Sequence, residues 1–105
     1  MGFFGKGKKA DFLSSDQQRR VFAEVESMVG DVGNGFSIRS AIVVALTKKG
    51  LNHMGLGSSA ETTMTNLVGQ ACGLRNASLD DVDMHCKSLA PDKLKHAINQ
   101  ASSWS

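Results

Sequence analysis

The chain has no tyrosine, one proline, one tryptophan and two cysteines. Two thiols, Cys72 and Cys86, are far from the dense cysteine framework that staples small secreted domains, so they read as reduced intracellular thiols. A single proline, Pro91, leaves nearly the whole length free to form helix. Long apolar runs are missing as well. The longest, Ala41 to Leu46, falls well short of the roughly 18 to 20 residues of a spanning helix, which excludes a transmembrane segment. The N-terminal lysines are not followed by the apolar stretch of about 7 to 15 residues that marks a secretory signal. Lys6 stands where a myristoylation pattern asks for Ser or Thr after Gly2. The expected address is cytoplasmic.

What is present fits one folding unit. The 105 residues are 41% hydrophobic and 21% charged, which is globular rather than disordered composition. The net charge of +2 is unevenly placed. Residues 1–20 carry five basic and two acidic groups, 21–60 carry three of each, and 61–105 carry four against five. The chain therefore lacks the fold-wide basic field of a dedicated nucleic-acid binder. Residues 1–12 read as a flexible basic tail, because Gly2, Gly5 and Gly7 punctuate a stretch with no apolar period. Residues 13–105 read as a single helical domain.

Apolar spacing predicts four or five short helices. Val21, Val25, Met28 and Val32, with Phe22 and Val29 beside them, recur at intervals of three and four. They predict a first helix from about Asp16 to Val29, with Ser14, Ser15 and Asp16 as cap candidates and a stop in the cluster Gly30, Gly33, Asn34, Gly35. Ser37 can cap a second helix striped by Ile38, Ala41, Ile42, Ala45 and Leu46, apolar almost all round and therefore central. The competing strand signal is the alternation at Phe36 to Arg39 and the β-branched Ile42 to Val44. The ending decides for helix, since Lys48 and Lys49 suit a C-terminal dipole, Gly50 suits C′ and Leu51 is the apolar residue that follows it.

A glycine-containing connector, residues 52–58, leads to a capping box of Ser58 with Glu61 and a third helix striped by Met64, Leu67, Val68, Ala71 and Cys72. Gly73 ends it. A second box, Ser78 with Asp81, opens a fourth helix that buries Leu79, Val82, Cys86 and Leu89. Pro91 starts a fifth, with Leu94, Ala97, Ile98 and Ala101 inward and its end near Trp104.

The strongest local motif spans Leu67 to Met84. With Gly73 as the turn glycine, Gly69 is the small residue four before it, and Leu79 and Val82 follow six and nine later. This spacing resembles a helix-turn-helix motif, in which a small residue lets two helices cross closely. In that reading Arg75, Asn76 and Lys87 would contact DNA. Asp80, Asp81 and Asp83 oppose it, because they would meet phosphate with the wrong sign. They are better explained as first-turn residues stabilised by the helix dipole, by roughly 0.3 to 1 kcal/mol each.

Other chemistry finds little support. His53, Cys72, His85, Cys86 and His96 lack the spacing of a metal site, so no metal is expected; the cysteines read as core thiols and the histidines as boundary residues. The segment Gly30-x-x-Gly33-x-Gly35 lacks the lysine and hydroxyl that complete a phosphate loop and reads as a turn between helices. No serine sits in a nucleophile elbow. No catalytic residue and no cofactor are expected. In the tail, Phe3 and Phe4 beside Lys6, Lys8 and Lys9 pair an apolar wedge with cations, a combination that adheres weakly to anionic membranes.

By elimination, the expectation is an all-α bundle acting as a small non-enzymatic protein-binding or regulatory module. A helix-turn-helix DNA-binding protein and a peripheral membrane adaptor are the alternatives. The apolar second helix also makes a homodimer an expectation.

Overall fold

The computed structural model describes residues 13–51 and 58–104. Among them the regular structure is all α: α1 (Ser15–Glu26), α2 (Ile38–Lys48), α3 (Ser59–Ala71), α4 (Leu79–Ser88) and α5 (Pro91–Ser103), with one 3-10 turn at Val29–Asp31. The tail residues Phe3, Phe4, Lys6, Lys8 and Lys9, and His53 in the connector, lie outside the described residues. Among the described residues no helix is long and apolar enough to cross a membrane.

Local capping chemistry sets the helix starts. Ser14 opens α1: its Oγ accepts from Gln17 N–H at 3.1 Å, while Gln17 Oε1 accepts from Ser14 N–H at 3.0 Å. Ser78 and Asp81 form the same reciprocal box on α4. Ser37 accepts from Ser40 N–H at the start of α2. Ala90 precedes α5 without a side-chain cap, and Pro91 occupies the first turn, where a missing N–H costs nothing.

Residues 38–48 are helix, and the ending explains why the strand signal loses. Gly50 adopts φ +70°. Its N–H bonds to Thr47 O at 2.9 Å, and Leu51 N–H reaches back to Leu46 O at 2.8 Å. These two bonds are a Schellman motif, which satisfies carbonyls that a strand would have left to a partner. All five stripe residues, Ile38, Ala41, Ile42, Ala45 and Leu46, are fully buried.

The first helix is shorter than its periodicity predicts. It stops at Glu26, because the Ser27 hydroxyl donates to Glu24 O at 2.6 Å and the chain tightens into the 3-10 turn. Met28 and Val29 are still buried, now from irregular backbone. Val32 and Phe36 then form an isolated bridge around a tight turn. Gly33, at φ +89°, lies so close to α4 that a Cβ there would stand 3.0 Å from the Lys87 carbonyl oxygen. The glycine cluster is thus a turn packed against the end of α4.

α2 lies in the middle, touching α1, α3 and α4, while α5 closes the bundle against α1 and α3. The core runs from Val21, Phe22 and Val25 through Ile42, Leu46, Met64 and Val68 to Leu94 and Ile98.

Candidate functional site

The part of the molecule with the most chemistry is the junction of α2, α3 and α4. Arg39 is the only charged residue between Phe36 and Thr47, and it sits in the first turn of α2, where the helix dipole disfavours a cation. Two carboxylates from other helices offset this. Glu61 of α3 is completely buried and takes the guanidinium in a two-bond fork, Nε to Oε2 at 2.7 Å and Nη2 to Oε1 at 3.0 Å. Thr65, one turn along α3 and also buried, donates its hydroxyl to Glu61 Oε2 at 2.9 Å. Asp83 of α4 accepts the backbone N–H of Arg39 at 3.0 Å. It therefore caps α2 from another helix, beside the Ser37 cap.

The electrostatics follow from this packing. Hydrogen bonding to Glu61 is the main reason the Arg39 guanidinium is held above its already high range. Burial pushes the Asp83 carboxyl above the usual carboxylate range, and the bond and charge of Arg39 only partly counter it. Among the described residues every buried side-chain N and O atom has a partner.

Two sequence expectations change here. Glu61 does not return the bond that a capping box requires. Ser58 accepts from Glu61 N–H at 3.2 Å, but the carboxylate turns inward to Arg39. Asp83 belongs to the α2 junction rather than to an outer row with Asp80 and Asp81. The pairing of Arg39 with Glu61 was not anticipated. Its available signal was a lone arginine at the unfavourable end of an apolar helix.

The crossing of α3 and α4 is close. A Cβ at Gly69 would stand 2.8 Å from Val82 Cγ2, so only glycine lets the helices approach this far. Residues 72–78 connect them, about twice the 3 to 4 residues of a helix-turn-helix turn. A groove of about 230 Å³ lies along this corner, lined by Asn66, Gln70, Leu74 and Asn76 with Val82 at its base. Asn76, at φ 54°, holds the connection in a left-handed conformation.

Arg75, Asn76 and Lys87 are all exposed; Asn76 belongs to the groove, whereas Lys87 is in the last turn of α4. The outward side of α4 carries Asp80, Asp81, Met84, Lys87 and Ser88. Met84 is 69% exposed, the most exposed large apolar side chain described. His85 is half-buried and His96 exposed. Among the described residues no three His, Cys, Asp or Glu side chains are grouped to hold a metal ion.

In class, the described residues form a five-helix bundle with a half-buried ionic junction and a charged outer helix. No family model matches the chain, and no curated protein or solved structure shows significant similarity to it.

Proposed function

We propose that the protein is a small non-enzymatic protein-binding module that meets its partner through the outer face of α4. The supporting observation is Met84. A largely exposed methionine on a short helix leaves apolar area in water, and methionine adapts its shape to a binding pocket. Asp80 and Asp81 lie one turn before it, Lys87 and Ser88 one turn after. This pattern fits an apolar socket with a basic rim on a protein partner. The homodimer reading would need the same face, because the apolar stripe of α2 is covered by its own chain.

The test is affinity capture of the tagged protein from its native lysate beside Met84→Glu and Asp80→Lys. Both positions are exposed and outside the capping box, so each variant should melt within a few degrees of wild type. A captured protein that disappears with both substitutions supports the reading. Full retention by both overturns it.

The close approach at Gly69 and Val82 favours a second reading, DNA binding by α4. Its helix would lead with Asp80 and Asp81, against the phosphates. A selection from random duplexes separates the two. An enriched sequence, bound at nanomolar levels and about a thousandfold above non-specific binding, and lost on Arg75→Ala or Asn76→Ala, would establish DNA recognition.

A further inference from the structure

The turn between α1 and α2 holds a reactive pair of residues. The chain has five asparagines, at positions 34, 52, 66, 76 and 99, and Asn34 alone is followed by glycine. Asn34 and Gly35 are both exposed, inside the turn that the bridge between Val32 and Phe36 closes. Gly35 adopts φ +93°, and a Cβ there would meet nothing within 4 Å. The bonds that hold the turn run from Gly33 N–H to Phe36 O and from Asn34 N–H to Asp31 O, both at 3.0 Å. Among the described residues Gly35 N–H donates to no backbone carbonyl.

We propose that Asn34 and Gly35 form a self-modification site, at which the side-chain amide of Asn34 becomes a carboxylate by way of a cyclic imide. The reaction needs water and no enzyme. The inference is independent of the partner assigned to α4.

Three conditions meet at this turn. The attacking nitrogen, Gly35 N, and the attacked carbon, Asn34 Cγ, are neighbours in the covalent chain, so the ring closes without a long-range approach. Glycine carries no β-carbon to crowd the nitrogen, and it reaches backbone conformations that other residues resist. No hydrogen bond to a carbonyl has to break before the Gly35 amide loses its proton. The helical asparagines lack these conditions. Asn66 in α3 and Asn99 in α5 precede Leu67 and Gln100, whose N–H groups are held in the helix ladder and whose side chains crowd the nitrogen.

The chemistry balances with water as the co-reactant. A base takes the Gly35 amide proton and the nitrogen attacks Asn34 Cγ. The Cγ–Nδ2 bond breaks, Nδ2 takes up a proton, and ammonia leaves. Water then adds to one of the two imide carbonyls and the ring opens there. Breaking the bond from Gly35 N to Cγ gives aspartate. Breaking the bond from Gly35 N to the main-chain carbonyl carbon gives isoaspartate, whose main chain runs through the former side chain. One amide and one water yield one carboxylic acid and one ammonia.

Both products place a new negative charge in the turn, near Asp31. Isoaspartate also lengthens the main chain by a methylene inside a closed turn. That turn is held against the end of α4, where a Cβ on Gly33 would stand 3.0 Å from the Lys87 carbonyl oxygen, so the added length cannot be absorbed on that side. The isoaspartate form should melt below the unmodified protein.

The experiment incubates the full-length protein, folded and in guanidinium chloride, at neutral and at mildly alkaline pH, with an unincubated sample as baseline. After trypsin, the peptide Val21–Arg39 contains no asparagine but Asn34. Its mass reports conversion, and labelling by an isoaspartyl methyltransferase reports isoaspartate. The folded protein should lose the Asn34 amide at a rate of the same order as the denatured chain, faster at the higher pH, while the peptides holding Asn76 and Asn99 keep theirs. Asn34→Gln would need a larger ring and should show no conversion. Gly35→Ala should slow it, and the denatured sample reads that effect even if the positive φ prevents folding. Retention of the Asn34 amide in the folded protein while the denatured chain loses it would overturn the proposal, as would equal conversion at Asn76 or Asn99.

Discussion

Two interfaces of this small domain are held together in opposite ways. Between α1 and α5 the contact is apolar: Val21, Phe22 and Val25 on one side, Leu94, Ile98 and Ala101 on the other. A polar link between the two helices, Asn99 Nδ2 to Glu26 Oε2 at 3.2 Å, is on the surface. Where α2, α3 and α4 meet, the contact runs through a half-buried guanidinium, two carboxylates and a hydroxyl. Apolar contact is non-directional, so the first interface tolerates changes of shape that preserve volume. The second is directional, and each partner fixes the position of the next. Removing the arginine takes the two-bond fork from a carboxylate that is itself out of water.

The largest test of this contrast is Ile42→Asp. Ile42 is fully buried in the helix that both regions share, and an unpaired charge there costs several kcal/mol of a total stability of about 5 to 15. The variant should be unfolded by circular dichroism at room temperature. A soluble product with unchanged melting temperature would show that α2 is not central.

Next come Arg39→Ala and Phe22→Ala, each expected to cost about 3 to 5 kcal/mol in chemical denaturation. The second substitution separates the mechanisms. Adding Glu61→Leu to Arg39→Ala should recover much of the loss, because it removes a fully buried carboxylate that has lost its arginine. Phe22→Ala leaves a cavity and has no such rescue. Equal behaviour of the two regions would mean that the ion pair acts as packing volume alone.

Gly69→Ala should cost about 1 to 3 kcal/mol, since the new methyl must displace a Val82 methyl at a tight crossing. The companion Val82→Ala should relieve that clash, and a double-mutant cycle would measure the coupling.

The smallest effect belongs to Asp83. Asp83→Ala leaves the Arg39 N–H without its cap and should cost about 1 to 2 kcal/mol. Asp83→Asn keeps an acceptor and should cost less. Its pH signature has a definite sign. Burial is the main reason the folded-state carboxyl sits above its ordinary value in the unfolded chain. Between those two values the folded state holds a proton that the unfolded chain has lost. Asp83 stabilisation is therefore greatest at the acidic end and declines as pH rises through that window. Asp83→Asn should flatten this part of the melting temperature against pH. A difference of opposite slope would remove burial as the dominant influence.

The helix starts were legible because a cap acts across three residues. Ser14 with Gln17, Ser37 with Ser40 and Ser78 with Asp81 are written next to one another. The stripes of α2 and α5 were legible for the same reason: periodicity is local, and every position predicted inward in them is buried. The end of α1 was not, because a serine hydroxyl closing the last turn competes with an apolar period that continues past it. The ionic junction was invisible for a stronger reason. Arg39 is 22 residues from Glu61 and 44 from Asp83, and the local roles available to both carboxylates, a capping box and a first-turn acid, were chemically sound.

By itself the sequence determined an all-α bundle of four or five short helices, most of their caps, the helical state of residues 38–48, and the inward faces of α2 and α5, since all of these rest on interactions within a few residues. Only the tertiary structure decided that Glu61 faces Arg39 rather than Ser58 and that Asp83 caps a helix other than its own. A buried polar group must find a partner wherever the packed chain supplies one, and that supply is set by helix crossings such as the one at Gly69 and Val82, which no local pattern records.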